Sequence, residues 1–378
     1  MRKDNPFKEH LDTSVEQISE WKKQNQSYVL GYLCSYVPEE IIHAAGVLPY
    51  RIFGDSSCAT RADQHLQAYS CSLVKNSLGA ALEGKLDFLD GAVFPHTCDT
   101  IQRLSDIWRL NAGMNFHFDV VHPIKLNTEG SRAYMQGVLE RFRAELGSAL
   151  GKEITDTMLS ESIKLYNKLR GMLFELYQIR RDNPHLLSSE DIYYALRAAV
   201  TMDRTHFVQL LEKFNAELQS EASACSSSSN ESTGVIITGG ICDHPNLYEI
   251  IETQGAHVVW DDLCAGYRFF TGQFDENLPP MEAITNRYFE RMECPAKHRG
   301  TESRFNNLKD LVDKHHASGV IILQLKFCDP HSFDYPYLKE YLDNENIPSI
   351  LLELEDADQN LGPVRTRLET FIEIINGY

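Results

Sequence analysis

Short apolar runs alternate with amphipathic stretches in the first third of the chain. The runs at residues 28–33, 47–52 and 91–95 have the length and the β-favouring side chains of buried strands. Amphipathic stretches at 37–46 and 100–110 predict helices that follow strands. Because strand and helix alternate, the strands are predicted to run parallel in a doubly wound sheet.

The same alternation returns in the last third, after a long helical region. Residues 132–217 show a 3.6-residue apolar spacing and no strand pattern, and 221–233 form a Ser-rich linker. Further apolar runs predict strands at 235–238, 257–260, 319–325 and 349–354. The predicted fold class is α/β, with two doubly wound, Rossmann- or flavodoxin-like parallel-sheet domains linked by a helical segment. The predicted divisions are 1–131 (N-terminal α/β domain), 132–220 (helical segment) and 234–378 (C-terminal α/β domain).

Composition and charge narrow the class of partner. The 378 residues carry 36 basic and 54 acidic side chains, a net charge of −18. This balance argues against nucleic acid and against an anionic membrane surface as partners. No stretch approaches the roughly 20 apolar residues of a membrane span, and the first 17 residues have no apolar core of the signal-peptide type. Nine widely spaced cysteines do not suggest a disulfide framework, so we expect a reducing, cytoplasmic setting.

Four cysteines stand where parallel strands give way to helices. Cys34, Cys98 and Cys328 each come just past a predicted strand, and Cys71 opens a helical run. Helix N-termini favour thiolates, which iron and zinc require as ligands. Any one of these thiols alone is better explained as core packing. Together, in matching positions of two domains, they favour a metal centre at the seam between the domains.

The remaining motifs are weaker. The sequence contains no Cys-x-x-Cys, which argues against a zinc ribbon and ferredoxin-type spacing. Residues 79–85 match the start of a P-loop, but Leu86 replaces the Ser or Thr that binds magnesium, so we predict no nucleotide site. Asp261 and Asp262 are expected in a solvated loop. The weaker cysteine candidates are Cys58, Cys225, Cys242, Cys264 and Cys294.

Five phrases of the sequence resemble those of a known family. They are CSYVPEEIIHAAGVLPYRI (34–52), YSCSLVKNSLG (69–79), LDFLDGAVFPHTCDTIQRLSDIW (86–108), WDDLCAGYRFF (260–270) and KFCDPHSFDYPYLKEYL (326–342). They are similar to the 2-hydroxyacyl-CoA dehydratases, a family that also includes the cluster-bearing subunits of ATP-dependent benzoyl-CoA reductase. The resemblance extends over nearly the whole chain.

The resemblance implies a [4Fe–4S] cluster held by Cys71, Cys98 and Cys328, with Cys34 as the candidate fourth ligand. It also implies a related second subunit, in a heterodimer or larger complex, and an acyl-CoA substrate. A separate iron–sulfur ATPase activator would deliver low-potential electrons, since this chain has no credible ATP site of its own.

The implied chemistry is radical dehydration of a 2-hydroxyacyl-CoA to an enoyl-CoA. One electron on the thioester carbonyl gives a ketyl radical anion, which expels the 2-hydroxyl group and makes the β-hydrogen acidic. Glu39, His43 and His96 are the nearest candidates in sequence for proton transfer, although each also has an ordinary structural explanation. The alternatives left open are aromatic-ring reduction by a benzoyl-CoA reductase subunit and a non-catalytic electron-transfer or cluster protein. A zinc-binding α/β protein is the plain structural alternative.

Overall fold

Two parallel β-sheets organise the computed structural model, which describes residues 5–224, 233–300, 302–355 and 361–377. The first sheet contains β1 (Val29–Tyr32), β2 (Leu48–Arg51), β3 (Gly91–Phe94) and β4 (Phe116–Asp119). The second contains β5 (Thr233–Gly239), β6 (Ala256–Asp262), β7 (Gly319–Leu325) and β8 (Ser349–Leu354). Their orders, β2-β1-β3-β4 and β6-β5-β7-β8, are equivalent, and every pairing is parallel. The predicted α/β class with two parallel sheets is confirmed.

The helices fall into three groups along the described chain. Those of the first part are α1 (Pro6–Asp12), α2 (Ser14–Asn25), α3 (Glu39–Ala44), α4 (Ala59–Ala62), α5 (Ser72–Leu82) and α6 (Asp99–Asn111). The middle part contains α7 (Glu129–Ala149), α8 (Asp156–Asp182), α9 (Ser189–Thr201) and α10 (Arg204–Ala224). The last part contains α11 (Pro245–Thr253), α12 (Tyr267–Phe270), α13 (Pro280–Glu290), α14 (Ser303–His315), α15 (Asp329–Asn344) and α16 (Gly362–Ile375).

The long helix α8 contributes side chains to the buried clusters of both halves of the molecule. Near its start, Ile163 joins a buried cluster that includes Val93 of β3. Farther along, Leu173 joins a second cluster with Trp260 of β6. Burying each such side chain contributes roughly 1.5–3 kcal/mol, so the two ends of one helix tie the halves of the molecule together.

The sequence pattern did not predict the strand β4. Its sequence, Phe116-His-Phe-Asp119, alternates polar and apolar residues at the edge of the sheet and lacks the apolar run of a central strand. The strand forms because it pairs with β3 in the register Gly91↔Phe116 to Phe94↔Asp119. Tertiary pairing therefore decided this element.

The Ser-rich region is only partly described. The predicted linker at 221–233 begins inside α10, and Thr233 already belongs to β5. Residues 225–232, including Cys225, lie outside the described residues. Across the part of the chain that is described, none of the helices combines the length and apolar character needed to cross a membrane.

Candidate cluster site at the seam

Three predicted ligand cysteines occupy equivalent positions, each at the N-cap of a helix. Cys71 precedes α5, Cys98 precedes α6 and Cys328 precedes α15. Cys98 follows β3 and Cys328 follows β7, which are corresponding strands of the two sheets. At an N-cap, the thiol lies beside free backbone N–H groups and the positive end of the helix dipole.

The three thiols come from distant parts of the chain and lie within electrostatic reach of one another. The pKa of Cys98 is raised to about 12, mainly by burial and in smaller part by the charges of Cys71, Cys34 and Cys294. Burial also raises the pKa of Cys328, with added repulsion from Cys71, Cys98 and Cys294. The fold therefore brings together thiols that the sequence separates by more than two hundred residues.

Cys294 is a member of this group that the sequence pattern undervalued. The pKa of Cys294 is raised to about 11, mainly by burial, and among the neighbouring thiols Cys34 contributes most to this rise. Cys294 follows the helix α13 and not a strand, so the strand–Cys–helix pattern could not select it. Its only sequence signal is the neighbouring Pro295.

The donor set consists of dispersed cysteine thiols, which is the ligand chemistry of iron–sulfur clusters. Among the described residues, no group of three or more His, Cys, Asp or Glu side chains is placed to hold one metal ion. In a [4Fe–4S] cluster the cysteine thiolates bind different irons, so its ligands surround the cluster and need not converge on one point. Buried thiols with raised pKa values are also stable as thiolates only beside compensating positive charge.

Two buried cations supply such charge. Lys297 is 1% exposed and donates from Nζ to the carbonyl of His122 at 3.2 Å. Burial lowers the pKa of Lys297, whereas the charges of Cys294, Cys34 and Cys98 act to raise it. Arg291 is also buried and donates to the carbonyl of Ser35 at 2.7 Å. Neither cation forms an ion pair with a carboxylate in the described ranges.

A third buried cation joins the two domains at a thiol. Arg51, at the end of β2, is fully buried. It donates from Nη1 to the Cys264 carbonyl and from Nη2 to the Cys264 Sγ, both at 3.0 Å. It too has no carboxylate ion pair among the residues described. Burying a cation without a carboxylate partner is costly, so these groups mark a region that suits an anionic occupant.

A cleft of about 450 Å³ opens beside the thiols. Its walls come from the start of α6, the start of α15 and the segment between α13 and α14, and they include Cys98, Asp329, Lys297, Arg304 and Phe333. This volume lies in the range of small-molecule sites, which are concave and mostly apolar with a few polar groups. Phe333 is 77% exposed at the rim. The cleft can therefore admit a ligand with an apolar part and an anionic or carbonyl part.

Glu39 and His43 lie on α3, and neither lines this cleft. Glu39 is buried and accepts hydrogen bonds from Tyr166 Oη at 3.0 Å, from Arg204 Nη2 at 2.8 Å and from Tyr32. Burial lowers the pKa of His43 to about 4. A proton-transfer role for either residue stays a prediction.

His96 lies two residues before Cys98, in the turn after β3. Its Nε2 donates to Asp119 Oδ1 at 2.6 Å, and its backbone has a φ of 46°. His96 is therefore the predicted proton-transfer residue nearest to a predicted ligand, and that role also stays a prediction.

The expectation for Asp261 and Asp262 was wrong. Both residues end β6 and are buried, not solvated. Asp262 forms an ion pair with Arg268 at 2.7 Å, and Asp261 accepts a hydrogen bond from Tyr177. The strand extends two residues past its apolar run because these partners compensate the buried carboxylates.

The fold defines a class: an α/β protein with two parallel sheets, in which cysteines that follow both sheets lie within electrostatic reach of one another. The family model for "2-hydroxyglutaryl-CoA dehydratase, D-component" matches residues 34–375. The chain belongs to this family.

Named relatives align over nearly their whole length. The chain is 30% identical to a benzoyl-CoA reductase subunit of Thauera aromatica, over 96% of this chain and 95% of the relative. It is 24% identical to the (R)-phenyllactyl-CoA dehydratase beta subunit of Clostridium sporogenes, over 98% of each chain. It is 26% identical to the beta subunit of (R)-2-hydroxyglutaryl-CoA dehydratase of Acidaminococcus fermentans, over 94% of each chain.

Proposed function

We propose that this chain is the [4Fe–4S]-bearing subunit of a 2-hydroxyacyl-CoA dehydratase, which converts a 2-hydroxyacyl-CoA to an enoyl-CoA. The observation that carries the proposal is the gathering of Cys71, Cys98 and Cys328, each at a helix N-cap, in a family of acyl-CoA enzymes. The proposal includes the division into domains 1–131 and 234–378 around a helical segment at 132–220.

Cys71, Cys98 and Cys328 would hold the cluster, and Cys34 or Cys294 would stand nearest the fourth iron. When bound, the cluster supplies a low-potential electron and a Lewis-acidic iron. The chain's own contribution is electrostatic: Lys297, Arg291 and Arg51 offset the negative charge of the thiolates in a site from which water is largely excluded.

The substrate would enter the cleft between the two domains. Lys297 and Arg304 would orient a thioester carbonyl or an anionic group of the substrate, and Phe333 and Tyr337, which also line the cleft, would contact the apolar part of the acyl chain. His96, beside Cys98, is the candidate for holding or moving a proton. A related second subunit and an iron–sulfur ATPase complete the proposed enzyme; the relatives named above are themselves subunits of larger enzymes, which supports a partner chain.

The first experiment counts iron and sulfide in anaerobically purified protein. We expect about four of each per chain in wild type, with a large loss in Cys98→Ala and Cys328→Ala. Cys242→Ala is the matched control, because Cys242 is a buried thiol within a separate hydrophobic core. Colourless wild-type protein that keeps full activity in the complex would refute the cluster, and one zinc per chain would identify the site as zinc-binding.

The second candidate is the cluster-bearing subunit of a benzoyl-CoA reductase. It is favoured by one observation, the 30% identity to the Thauera aromatica subunit against 24–26% for the dehydratase subunits above. Assays of the purified complex with 2-hydroxyacyl-CoA esters and with benzoyl-CoA decide between the two. Turnover of benzoyl-CoA alone would overturn the first choice.

A non-catalytic electron-transfer protein would bind no acyl-CoA. Calorimetric titration of the cluster-loaded complex with CoA esters tests this alternative. Heat and a spectral change support a dehydratase or reductase, whereas neither signal together with reversible reduction of the cluster supports electron transfer alone.

A further inference from the structure

Two turns of the described chain force a side chain into the left-handed region just before a predicted ligand. His96 has a φ of 46° and stands two residues before Cys98, and Phe327 has a φ of 64° and directly precedes Cys328. Non-glycine residues avoid this region because Cβ approaches the following carbonyl oxygen. The other non-glycine cases, Gln26, His316 and Asn346, all lie at or just past a helix C-terminus, where this conformation is common.

A hydrogen-bonded group holds the first of these turns. His96 Nε2 donates to Asp119 Oδ1 at 2.6 Å, and Asp119 ends the neighbouring strand β4. Ser105 Oγ, on α6, donates to the same Asp119 oxygen at 2.6 Å. His117 Nε2 lies 2.9 Å from Ser105 Oγ, and the His117 ring stacks on buried Phe94 at 5.1 Å. The carboxylate thus links the end of one strand, the following helix and the turn between them.

The second turn has no such anchor. The Cys328 amide donates to the Leu325 carbonyl at 3.0 Å and closes a tight turn in which Phe327 is the third residue. Phe327 is 44% exposed, and its ring contacts the Lys326 ammonium at 5.5 Å. No carboxylate anchors the Phe327 side chain among the described residues, which makes this turn a natural control for the first.

We propose that Asp119 is a positioning residue for Cys98: by anchoring the His96 ring it holds the left-handed turn that directs the thiol into the seam. The proposal rests on the proposed function only for the consequence that cluster retention depends on Asp119. The positioning itself concerns the chain's own geometry, so the metal-free protein can test it separately.

Glycine adopts the left-handed backbone conformation of position 96 without an anchor, and the test uses this property. In His96→Gly, Asp119 still accepts from Ser105 but no longer holds a side chain at position 96, and the turn no longer needs that anchor. In His96→Ala the anchor is lost while the steric penalty remains. If Asp119 acts through His96, then Asp119→Ala matters in the wild-type background and not in the His96→Gly background.

The measured quantity is the alkylation rate of Cys98 relative to Cys328 in metal-free protein, obtained by mass spectrometry of the modified peptides at one fixed pH. We expect Asp119→Ala and His96→Ala each to raise this ratio by about fivefold or more, because a displaced thiol leaves its buried position. His96→Gly, alone or combined with Asp119→Ala, keeps the ratio within about twofold of wild type. A general loosening of the fold would raise both rates and leave the ratio unchanged.

The matched control is Phe327→Gly, in the equivalent turn of the other sheet. We expect it to leave the alkylation rate of Cys98 unchanged in the wild-type and the His96→Gly backgrounds. If Asp119→Ala does not fold, the contrast between His96→Ala and His96→Gly still tests the requirement for an anchor. The proposal is overturned if Asp119→Ala raises the ratio equally in the His96→Gly background, or if the two His96 variants behave alike.

Iron retention separates this proposal from the proposed function. In loaded protein we expect Asp119→Ala to lose iron to a chelator several-fold faster, and His96→Gly to match wild type. If Cys98→Ala retains all its iron, the cluster assignment fails while the alkylation ratio still reports on positioning. If Cys98→Ala loses its iron but Asp119→Ala changes neither readout, only the positioning role fails.

Discussion

Buried His122 should make the protein sensitive to mild acid. Its ring is 3% exposed, stacks against Tyr288 and donates from Nε2 to the Tyr36 carbonyl at 2.7 Å. Its Nδ1 has no hydrogen-bond partner among the described residues. Burial, with added repulsion from Lys297 and Arg291, lowers the pKa of His122 from 6.5 to about 3.

Proton linkage gives the sign and the size of the expected loss of stability in acid. The unfolded chain binds a proton at His122 below about pH 6.5, while the folded protein does not until about pH 3, so acid favours unfolding between these values. At about pH 5 the ratio of unfolded to folded protein rises roughly 30-fold from this one group, or about 2 kcal/mol. The effect is absent above about pH 7.5, where His122 is neutral in both states.

Replacing His122 with Gln keeps a donor near the same carbonyl and removes the titration. We expect wild type to lose about 2 kcal/mol more than His122→Gln between about pH 7.5 and about pH 5, measured by anaerobic urea unfolding. His65→Gln is the control, because His65 is exposed and its replacement should leave the pH dependence as in wild type. A difference below about 0.5 kcal/mol, or of opposite sign, would refute the reasoning.

Three further predictions concern buried charge and close packing. Glu39→Gln leaves the fully buried Arg204 without its carboxylate and should cost about 3–5 kcal/mol in urea unfolding; an unchanged midpoint would show that the pair is dispensable. Lys297→Met removes a positive charge beside the thiols, so it should lower the reduction potential of the bound cluster by several tens of millivolts. An anaerobic redox titration measures this potential, and a rise would contradict the expected charge effect. Gly79→Ala would place Cβ 2.1 Å from the Cys58 carbonyl oxygen, so it should markedly lower the midpoint of thermal unfolding. An unchanged midpoint would show that the segments around residues 58 and 79 can move apart without loss of stability.

Local patterns were sufficient for most central strands and for the predicted cysteine turns. The runs at 319–325 and 349–354 became β7 and β8 with the same bounds. The apolar run of β7 is buried on both faces of the parallel sheet, whereas β8 lies at the sheet edge and is only partly buried. The cysteine positions after β3 and β7 followed from the same reasoning. These features depend on residues close together in the chain, so the sequence was enough to predict them.

The charge environment of the site could not be predicted in this way. Arg51, Arg291 and Lys297 look like ordinary surface residues in the sequence, and only the fold shows that all three are buried near thiols. Cys294 was undervalued for the same reason, since its significance lies in its electrostatic interaction with Cys34 and Cys98.

The sequence by itself determined the alternation of strands and helices, the parallel α/β class and the placement of Cys71, Cys98 and Cys328 at helix N-termini. Tertiary structure decided that these thiols lie within electrostatic reach of one another and that Asp261 and Asp262 are buried. It also decided that Asp119 reaches His96 from a strand that no local pattern indicated. The physical reason is the distance along the chain over which each effect acts. Periodicity and capping act over a few residues, whereas burial, pairing and charge compensation depend on segments that only the folded chain brings together.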